Sequence, residues 1–158
     1  MAIKKKFPYR AAFVACNGGC NNTSCSYGCI GCGACEAACK FGAIKVSENG
    51  VAVVDEGKCI ACGLCAKKCP QGIIRIHECA NYITVKCSSR DPGKVARMAC
   101  SASCIGCGIC EKTCTAGAIH VVDNVAVITE EQCLSCGMCA VKCPRHAIHD
   151  LRGILTAK

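Results

Sequence analysis

Sixteen cysteines in this 158-residue chain fall into four runs with the same spacing, C-x2-C-x2-C-x3-C. The runs are Cys29-Cys32-Cys35-Cys39, Cys59-Cys62-Cys65-Cys69, Cys104-Cys107-Cys110-Cys114 and Cys133-Cys136-Cys139-Cys143. This spacing is typical of [4Fe–4S] sites, because three thiolates two residues apart can reach three irons of one cubane from a single tight loop. The pattern therefore predicts one-electron transfer through iron–sulfur clusters.

The fourth cysteine of such a run is displaced and ligates the neighbouring cluster of a pair. We therefore expect four [4Fe–4S] clusters with crossed ligand sets. The sets are Cys29, Cys32, Cys35 and Cys69; Cys59, Cys62, Cys65 and Cys39; Cys104, Cys107, Cys110 and Cys143; and Cys133, Cys136, Cys139 and Cys114. Structural zinc, which usually takes two C-x2-C pairs across a longer gap, fits this spacing poorly and is the remote alternative, a zinc-stapled binding module.

Two further residue types repeat in the four runs. A glycine follows each second cysteine, which indicates a backbone conformation closed to side chains, with N–H groups turned toward sulfur. An apolar residue follows each first cysteine and can keep water off a cluster. The glycines are Gly33, Gly63, Gly108 and Gly137, and the apolar residues are Ile30, Ile60, Ile105 and Leu134.

Six cysteines lie outside the runs: Cys16, Cys20, Cys25, Cys79, Cys87 and Cys100. Four of them repeat in the two halves of the chain, since Cys16 corresponds to Cys87 and Cys25 to Cys100. These four are candidate ligands of a fifth cluster near a pseudo-twofold axis. The alternatives are disulfides, Cys16–Cys25 and Cys87–Cys100, or buried free thiols. Cys20 and Cys79 have no counterpart, and we expect them to remain unbridged thiols.

The chain is an internal duplication of two-cluster modules, each preceded by a short cysteine-containing lead segment. Ala12-Phe-Val-Ala-Cys16 corresponds to Ile83-Thr-Val-Lys-Cys87, and residues 59–69 correspond to 133–143. We expect an α+β fold of tandem ferredoxin-like modules resembling bacterial two-[4Fe–4S] ferredoxins. The expected divisions are a basic N-terminal arm at 1–10, a first half at 11–80, a second half at 81–150 and a tail at 151–158.

The elements that must position the cysteines are short. Hairpins are expected around residues 48–50 and around Asp123-Asn124, which tolerate a positive φ. Short helical turns should follow the third cysteine of each run and stop at Pro70 and Pro144, whereas Lys40 and Thr115 should change the turn geometry. The second lead segment should contain a helix with Asp91 as its cap and Pro92 at its first position, whereas the shorter first lead segment should form a turn on residues 17–22.

Composition supports a metal-stapled protein. The hydrophobic fraction of 52% includes 22 cysteines, and the chain has three Phe, three Tyr and no Trp, so its apolar core is thin. Small cores need staples such as metals. The formal charge of +8 is offset by about −2 at each oxidised cluster with its four thiolates. This removes the main argument for nucleic-acid binding.

Residues 11–15 are too few to form the apolar part of a signal peptide, and no apolar run is long enough to span a membrane. With no secretory signal and with cysteines at metal-ligand spacing, we expect a reducing, anaerobic cytoplasm. No arrangement for substrate chemistry is apparent, so we expect no catalytic residues and no enzyme activity of the isolated chain.

The lead segments also closely resemble a known family. The stretches that show this resemblance are Phe13-Val-Ala-Cys16-Asn-Gly-Gly19, Cys25-Ser-Tyr-Gly-Cys29, and Val85-Lys-Cys87-Ser-Ser-Arg-Asp-Pro-Gly-Lys-Val-Ala-Arg97 with Ala99-Cys100. They resemble the C-terminal polyferredoxin part of RnfB, the B subunit of the Rnf electron-transport complex, over about residues 11–148. Family members begin with a membrane anchor and a separate cluster domain, both of which we expect this chain to lack. The resemblance implies electron transfer from reduced ferredoxin through membrane partners toward NAD.

Two hypotheses share this chemistry. In the first, the chain is an electron-transfer subunit on a larger flavin- or metal-containing oxidoreductase, in the cytoplasm and peripheral to the complex. In the second, it is a freely diffusing polyferredoxin that exchanges electrons with several enzymes through small interfaces. The lead segments favour the first, because a minimal carrier does not need them.

Overall fold

A computed structural model describes residues 9–18 and 25–155 of the chain. Its elements are short, and antiparallel strand pairs and short helices follow one another along the chain, in agreement with the α+β prediction. They are β1 (Arg10–Val14), α1 (Ala34–Ala38), β2 (Ile44–Val46), β3 (Ala52–Val54), α2 (Leu64–Lys68), β4 (Ile74–Glu78), β5 (Ile83–Val85), α3 (Gly93–Ala99), α4 (Ile109–Thr113), β6 (Ile119–Val122), β7 (Val125–Ile128), a 3-10 turn (Glu130–Gln132), α5 (Met138–Val141) and β8 (Ile148–Asp150).

Each lead strand closes onto the last strand of its own half. β1 pairs antiparallel with β4, with Arg10 opposite Glu78. β5 pairs antiparallel with β8, with Ile83 opposite Asp150. Between these closing pairs, α1 contacts α2 and α4 contacts α5. The fold prediction of two tandem ferredoxin-like modules, each with its lead segment, is confirmed.

The two predicted hairpins are present. β2 pairs with β3, and Gly50 in their turn has a φ of 72°. β6 pairs with β7, and the turn residues Asp123 and Asn124 have φ values of 48° and 65°. Two consecutive left-handed residues are the geometry that lets a two-residue turn follow the twist of its strands.

The helix boundaries differ from the prediction. α1, α2 and α4 begin one residue before the third cysteine and end one residue before the fourth. Proline does not set this end, because α1 and α4 stop there with Lys40 and Thr115 in the following position. The third cysteine therefore lies in the first turn of the helix.

The predicted change of turn geometry at Lys40 and Thr115 is also wrong. Cys39, Cys69 and Cys114 are all extended, with ψ values of 102°, 116° and 103°. In each case the N–H three residues later, on Gly42, Gly72 or Gly117, donates to the cysteine carbonyl at 3.2–3.3 Å. The turn is thus fixed by the glycine and its hydrogen bond, so the residue after the cysteine is free to vary.

Helix α3 is capped differently from the prediction. Pro92 occupies the N-cap position rather than the first helical position, and its carbonyl accepts from the Ala96 N–H at 3.0 Å. Asp91 does not cap the helix; its N–H donates to the Ser89 hydroxyl at 3.4 Å. A proline has no N–H to leave unsatisfied here, which suits a helix start without a side-chain cap.

Several predicted features fall partly outside the described residues. These are most of the basic arm, the greater part of the first lead turn, Cys20 and the last three residues. Within the described part, Arg10 of the basic arm lies in β1 and forms an ion pair with Glu78 at 2.9 Å. Gly18 begins the lead turn with a φ of 78°.

Small residues dominate the interior. Each half has its own buried cluster, built largely from Ala, Val and Ile together with cysteines. The halves meet through hydrogen bonds that include the Ser88 hydroxyl donating to the Ala15 carbonyl at 2.9 Å and the Glu78 N–H donating to the Glu130 carboxylate at 3.3 Å. In residues 9–18 and 25–155, no helix has the length and apolar character needed to cross a bilayer.

Candidate iron–sulfur centres

The glycine after each second cysteine has the conformation that the sequence predicts. Gly33, Gly63, Gly108 and Gly137 have φ values of 72–75°. This left-handed region is costly for residues with a Cβ. Each glycine is the N-cap of the helix that follows. The next cysteine, which lies in the first turn of that helix, is buried in three runs (Cys35, Cys65 and Cys110) and half-buried in the fourth (Cys139).

In the first half the structure brings cysteines of the two runs together. Burial raises the pKa of the Cys35 thiol, and the nearby thiolates of Cys29 and Cys69 raise it further. Cys69 belongs to the other run of this half.

The second run of the first half shows the reciprocal arrangement. Burial raises the pKa of the Cys65 thiol, with additional contributions from Cys59, Cys62 and Cys39. Cys39 is the fourth cysteine of the first run. Each buried third cysteine thus has the displaced cysteine of the other run as a neighbour.

The second half repeats this arrangement. Burial raises the pKa of the Cys110 thiol to about 11, and Cys104, Cys143 and Cys107 contribute. Burial raises the pKa of the Cys139 thiol to about 12, with contributions from Cys133, Cys110 and Cys114. Cys143 and Cys114 are again the displaced cysteines of the opposite runs.

The walls around these thiols are apolar. A cavity in the first half is lined by Cys29, Cys32, Cys35 and Cys69 together with Ile30, Val46 and Ile73. A second is lined by Cys39, Cys59, Cys62 and Cys65 together with Ile60, Leu64 and Ile76. Within the described ranges, no group of three or more His, Cys, Asp or Glu side chains is close enough together to hold a single metal ion. Soft thiolate donors around a dry cavity fit an iron–sulfur cluster.

Backbone N–H groups point at several of the sulfurs. The Cys39, Cys114 and Cys143 sulfurs accept from Ala43, Ala118 and Ala147 at 3.3–3.4 Å. Such bonds stabilise a thiolate and help set the potential of a cluster.

Sequence reasoning missed these donors. A signal was present, because an Ala-Ile pair begins four residues after the fourth cysteine in three of the four runs. The alanines are buried, and their small size lets the backbone approach the sulfur.

Backbone N–H groups also donate to the sulfurs of two first cysteines. The Cys59 sulfur accepts from the N–H groups of Ala61 at 3.4 Å and of Ala12 in β1 at 3.3 Å. The Cys133 sulfur accepts from Ser135 at 3.4 Å. Ala61 and Ser135 have positive φ values of 57° and 53°. Two residues with a Cβ thus accept a strained conformation that directs their N–H toward sulfur.

The apolar residues after the first cysteines shield the sites unequally. Ile30 and Ile60 line the two cavities of the first half. Leu134 is 75% exposed and covers its site poorly. The second cysteines of the runs, Cys32, Cys62, Cys107 and Cys136, are exposed in all four cases. One edge of each site therefore faces the surface.

The lead cysteines lie beside the first run of each half. The Cys29 N–H donates to the Cys16 sulfur at 3.4 Å, and the Cys104 N–H donates to the Cys87 sulfur at 3.3 Å. Cys16, Cys25, Cys79, Cys87 and Cys100 are all without a disulfide. Cys20 lies outside the described residues.

Family models match both halves of the chain. The model for one 4Fe-4S dicluster domain matches residues 28–73, and a second model with the same description matches residues 103–148. Each match contains both cysteine runs of its half. The cofactor prediction of four [4Fe–4S] clusters is therefore confirmed, and the zinc alternative is not supported.

Relatives with curated names match the chain at 40–46% identity. The B subunit of the Na(+)-translocating ferredoxin:NAD(+) oxidoreductase complex of Acetobacterium woodii is 42% identical over 60% of this chain and 27% of its own length. The corresponding subunit of the proton-translocating complex of Clostridium ljungdahlii is 46% identical over 68% and 38%. That of the ion-translocating oxidoreductase complex of Methanosarcina acetivorans is 40% identical over 78% and 46%.

The matched part is thus less than half the length of each of these relatives. The resemblance inferred from the lead segments is confirmed, and it extends to the cluster-binding modules. The chain belongs to the 4Fe-4S dicluster ferredoxins, with two such domains in tandem, and is related to part of the B subunits of Rnf-type oxidoreductase complexes.

Proposed function

We propose that this chain relays single electrons through its clusters, which are held by the crossed cysteine sets, as a subunit of a ferredoxin- and NAD-linked oxidoreductase complex. The observation that carries the proposal is the exchange of fourth cysteines in both halves. Cys35 has Cys69 as a neighbour and Cys65 has Cys39, while Cys110 has Cys143 and Cys139 has Cys114.

Residues of the chain affect how readily the cysteine sulfurs carry thiolate charge. Each thiol must lose its proton when it becomes a ligand, and burial of the third cysteines opposes that loss. Backbone N–H groups beside the third cysteines, such as that of Glu36 at Cys35, offset part of this opposition. The N–H groups of Ala43, Ala118 and Ala147 favour the thiolate at the fourth cysteines, Cys39, Cys114 and Cys143. A bound [4Fe–4S] cluster supplies a one-electron redox couple whose potential these groups tune.

The crossed sets also make each half one unit. Residues 29–39 and 59–69 each contribute ligands to both sites of the first half, so neither site forms without the other run. Helices α1 and α2, which carry the third cysteines Cys35 and Cys65, contact each other. Two sites that share their runs are held at a fixed separation, which suits a relay.

The relatives' names support a proposal for the redox partners of this chain. All three are B subunits of ion-translocating oxidoreductase complexes, and two of the names specify ferredoxin and NAD(+). We infer that a ferredoxin-type protein donates electrons to this chain and that a second redox subunit receives them. The chain would lie in the cytoplasm, peripheral to the complex, and would carry out no substrate chemistry on its own.

The proposal is tested by electron uptake under anaerobic conditions. Reduced ferredoxin should transfer about one electron to each of four clusters, seen as bleaching of visible absorbance in a stopped-flow experiment. The Cys35→Ala variant should take up fewer electrons, whereas Cys79→Ala, outside the runs, serves as the matched control. Failure of the wild type to accept electrons from ferredoxin or from any reductant of low potential would refute the relay.

The alternative, a freely diffusing polyferredoxin, is distinguished by whether other proteins copurify with the chain. A subunit should copurify with other redox subunits when the tagged chain is isolated from its native cells under mild conditions. Elution of the chain alone, with undiminished electron exchange with several soluble enzymes, would instead support the diffusing carrier.

A further inference from the structure

The lead cysteines lie where the two halves of the chain meet. Cys16 follows β1, and Cys87 follows β5. Next to them, the Ser88 hydroxyl donates to the Ala15 carbonyl at 2.9 Å. This hydrogen bond joins residues adjacent to the two cysteines and brings one lead segment against the other.

Both sulfurs are placed in the same way as the cluster thiolates. Cys16 accepts an N–H from Cys29, and Cys87 accepts one from Cys104, at 3.4 and 3.3 Å. The sulfurs of Cys39, Cys114 and Cys143 accept N–H groups at the same distances. Cys87 is also buried. A backbone N–H that donates to sulfur favours the thiolate, and at Cys87 it offsets part of the cost of burial.

The other two lead cysteines occupy equivalent turns. The Cys25 carbonyl accepts from the Gly28 N–H at 3.3 Å, and the Cys100 carbonyl accepts from the Ser103 N–H at 3.4 Å. Each turn leads directly into the first cysteine of its half. Cys25 is also close enough to Cys87 to raise the pKa of that thiol, after burial and the nearby Cys104. A thiol of the first half therefore lies near a thiol of the second half.

We infer that Cys16, Cys25, Cys87 and Cys100 bind a fifth [4Fe–4S] cluster between the two halves, with two thiolates from each lead segment. The four thiols release four protons to solvent as they bind the preformed core, and no electron is transferred. With a core charge of about +2 and four thiolates, the site carries about −2. The Arg145 guanidinium, which donates to the Cys100 carbonyl at 2.8 Å, offers a compensating positive charge.

This site would complete the relay. Cys29 and Cys104 each belong to a crossed set, and each donates its N–H to a lead sulfur. The fifth cluster would therefore lie beside one cluster of the first half and beside the equivalent cluster of the second half. An electron could then pass between the two modules through a bridging centre.

Iron and acid-labile sulfide per chain, measured on the full protein after anaerobic purification, provide the test. Five clusters require about 20 of each, and four clusters about 16. The double variant Cys25→Ala/Cys87→Ala should lower the count from about 20 to about 16. Cys79→Ala is the matched control, because Cys79 is half-buried like Cys25 but has no counterpart in the duplication; it should leave the count unchanged.

A second measurement does not depend on how the variants fold. Spin integration of the fully reduced wild type should give about five paramagnetic centres per chain. A wild type with about 16 irons and about four centres would overturn the fifth site while leaving the four-cluster relay intact. An unchanged iron count in the double variant would overturn it as well. A wild type with little iron and no sulfide would refute the relay itself.

Discussion

The two halves of the chain connect their lead cysteines to their first cluster run by different routes. In the second half the route includes helix α3 and takes 13 residues from Cys87 to Cys100, whereas the first half takes nine from Cys16 to Cys25. The contacts at the two ends are nonetheless the same, with Cys29 donating to Cys16 and Cys104 to Cys87. The placement of the lead sulfurs is therefore the same in both halves, although the connecting segments differ in length.

The closing strand pairs differ in a similar way. In the first half, Arg10 and Glu78 form an exposed ion pair across β1 and β4. In the second half, the Arg152 guanidinium lies 4.2 Å from the centre of the Tyr82 ring. Asp150 also accepts N–H groups from Arg152, Ile154 and Leu155 at 2.8–2.9 Å. The predicted tail thus begins as an ordered turn, at least to Leu155.

Removal of the clusters should have the largest effect, and it should affect both halves alike. Each interior consists mainly of small aliphatic residues and cysteines, and a core of this kind depends on its metal staples. We expect anaerobic chelation to abolish the cooperative thermal transition, measured by circular dichroism. A metal-free chain that keeps a cooperative transition in either half would contradict this.

The two halves should lose their iron at different pH values when the pH is lowered. Burial raises the pKa of Cys110 to about 11 and of Cys139 to about 12, against a reference of 9.0, and raises those of Cys35 and Cys65 less far. The protonated thiol is therefore most favoured in the second half, and each pKa unit strengthens competition by protons about tenfold. Because protons compete better as pH falls, the second half should release iron first.

Alkylation of the released thiols, followed by peptide mass spectrometry, measures this order. At each step below neutral pH, peptides containing Cys110 and Cys139 should be labelled before those containing Cys35 and Cys65. Earlier labelling of the first half would show that exposure of the sites, rather than the cost of thiol deprotonation, controls the loss.

Replacing Gly93 by alanine should weaken the second half alone. A Cβ at Gly93 would lie 2.4 Å from the Ile105 carbonyl oxygen, so α3 would have to shift away from the first run of its half. Overpacking of this kind costs about 1–3 kcal/mol. Lys94→Ala, at an exposed neighbouring position, is the matched control. Thermal unfolding of the holoprotein measures the difference, and equal midpoints for the two variants would contradict the contact.

Two substitutions at equivalent positions of the runs should change the stability of the protein by smaller and unequal amounts. Gly106 and Ala61 precede the second cysteine of their runs, and both have a left-handed φ. A Cβ on Gly106 would lie 3.0 Å from the Asn124 carbonyl oxygen, so Gly106→Ala should cost about 1–2 kcal/mol. Ala61→Gly should be neutral or slightly stabilising, because it relieves strain. A larger loss of stability in Ala61→Gly would reverse the comparison.

The side-chain contacts at the two closing strand pairs should contribute least to the stability of the protein. Arg10→Ala removes an exposed ion pair, which is worth about 0–1 kcal/mol and falls with added salt. Arg152→Ala removes a contact with an aromatic ring, worth about 0.5–1 kcal/mol at an exposed site. Thermal midpoints at low and high salt measure both. Loss of a cluster in either variant would mean that the closing strands do more than hold the lead segment.

Sequence patterns predict the features that depend on local backbone chemistry. The four glycines after the second cysteines and the Asp123-Asn124 turn could be predicted because few residues tolerate a positive φ. The positive φ of Ala61 and Ser135 could not, because residues with a Cβ do not signal that conformation. There the N–H to sulfur contact, and not the residue type, determines the backbone.

Features that depend on tertiary contacts could not be predicted in this way. Nothing in the sequence around Ser88 indicates a hydrogen bond to Ala15, which lies 73 residues earlier. Pro70 and Pro144 suggest that proline ends the helices before the fourth cysteines. The structure instead attributes these ends to a turn that Lys40 and Thr115 accommodate equally well.

Crossed ligation within each half is tested most directly by counting iron in variants built on one background. The background Cys29→Ala/Cys32→Ala should lack the cluster that Cys69 helps to hold. On this background, crossed ligation predicts that Cys69→Ala removes no further iron, whereas Cys39→Ala removes iron from the remaining cluster of the half. The opposite result, with further loss from Cys69→Ala and none from Cys39→Ala, would contradict it.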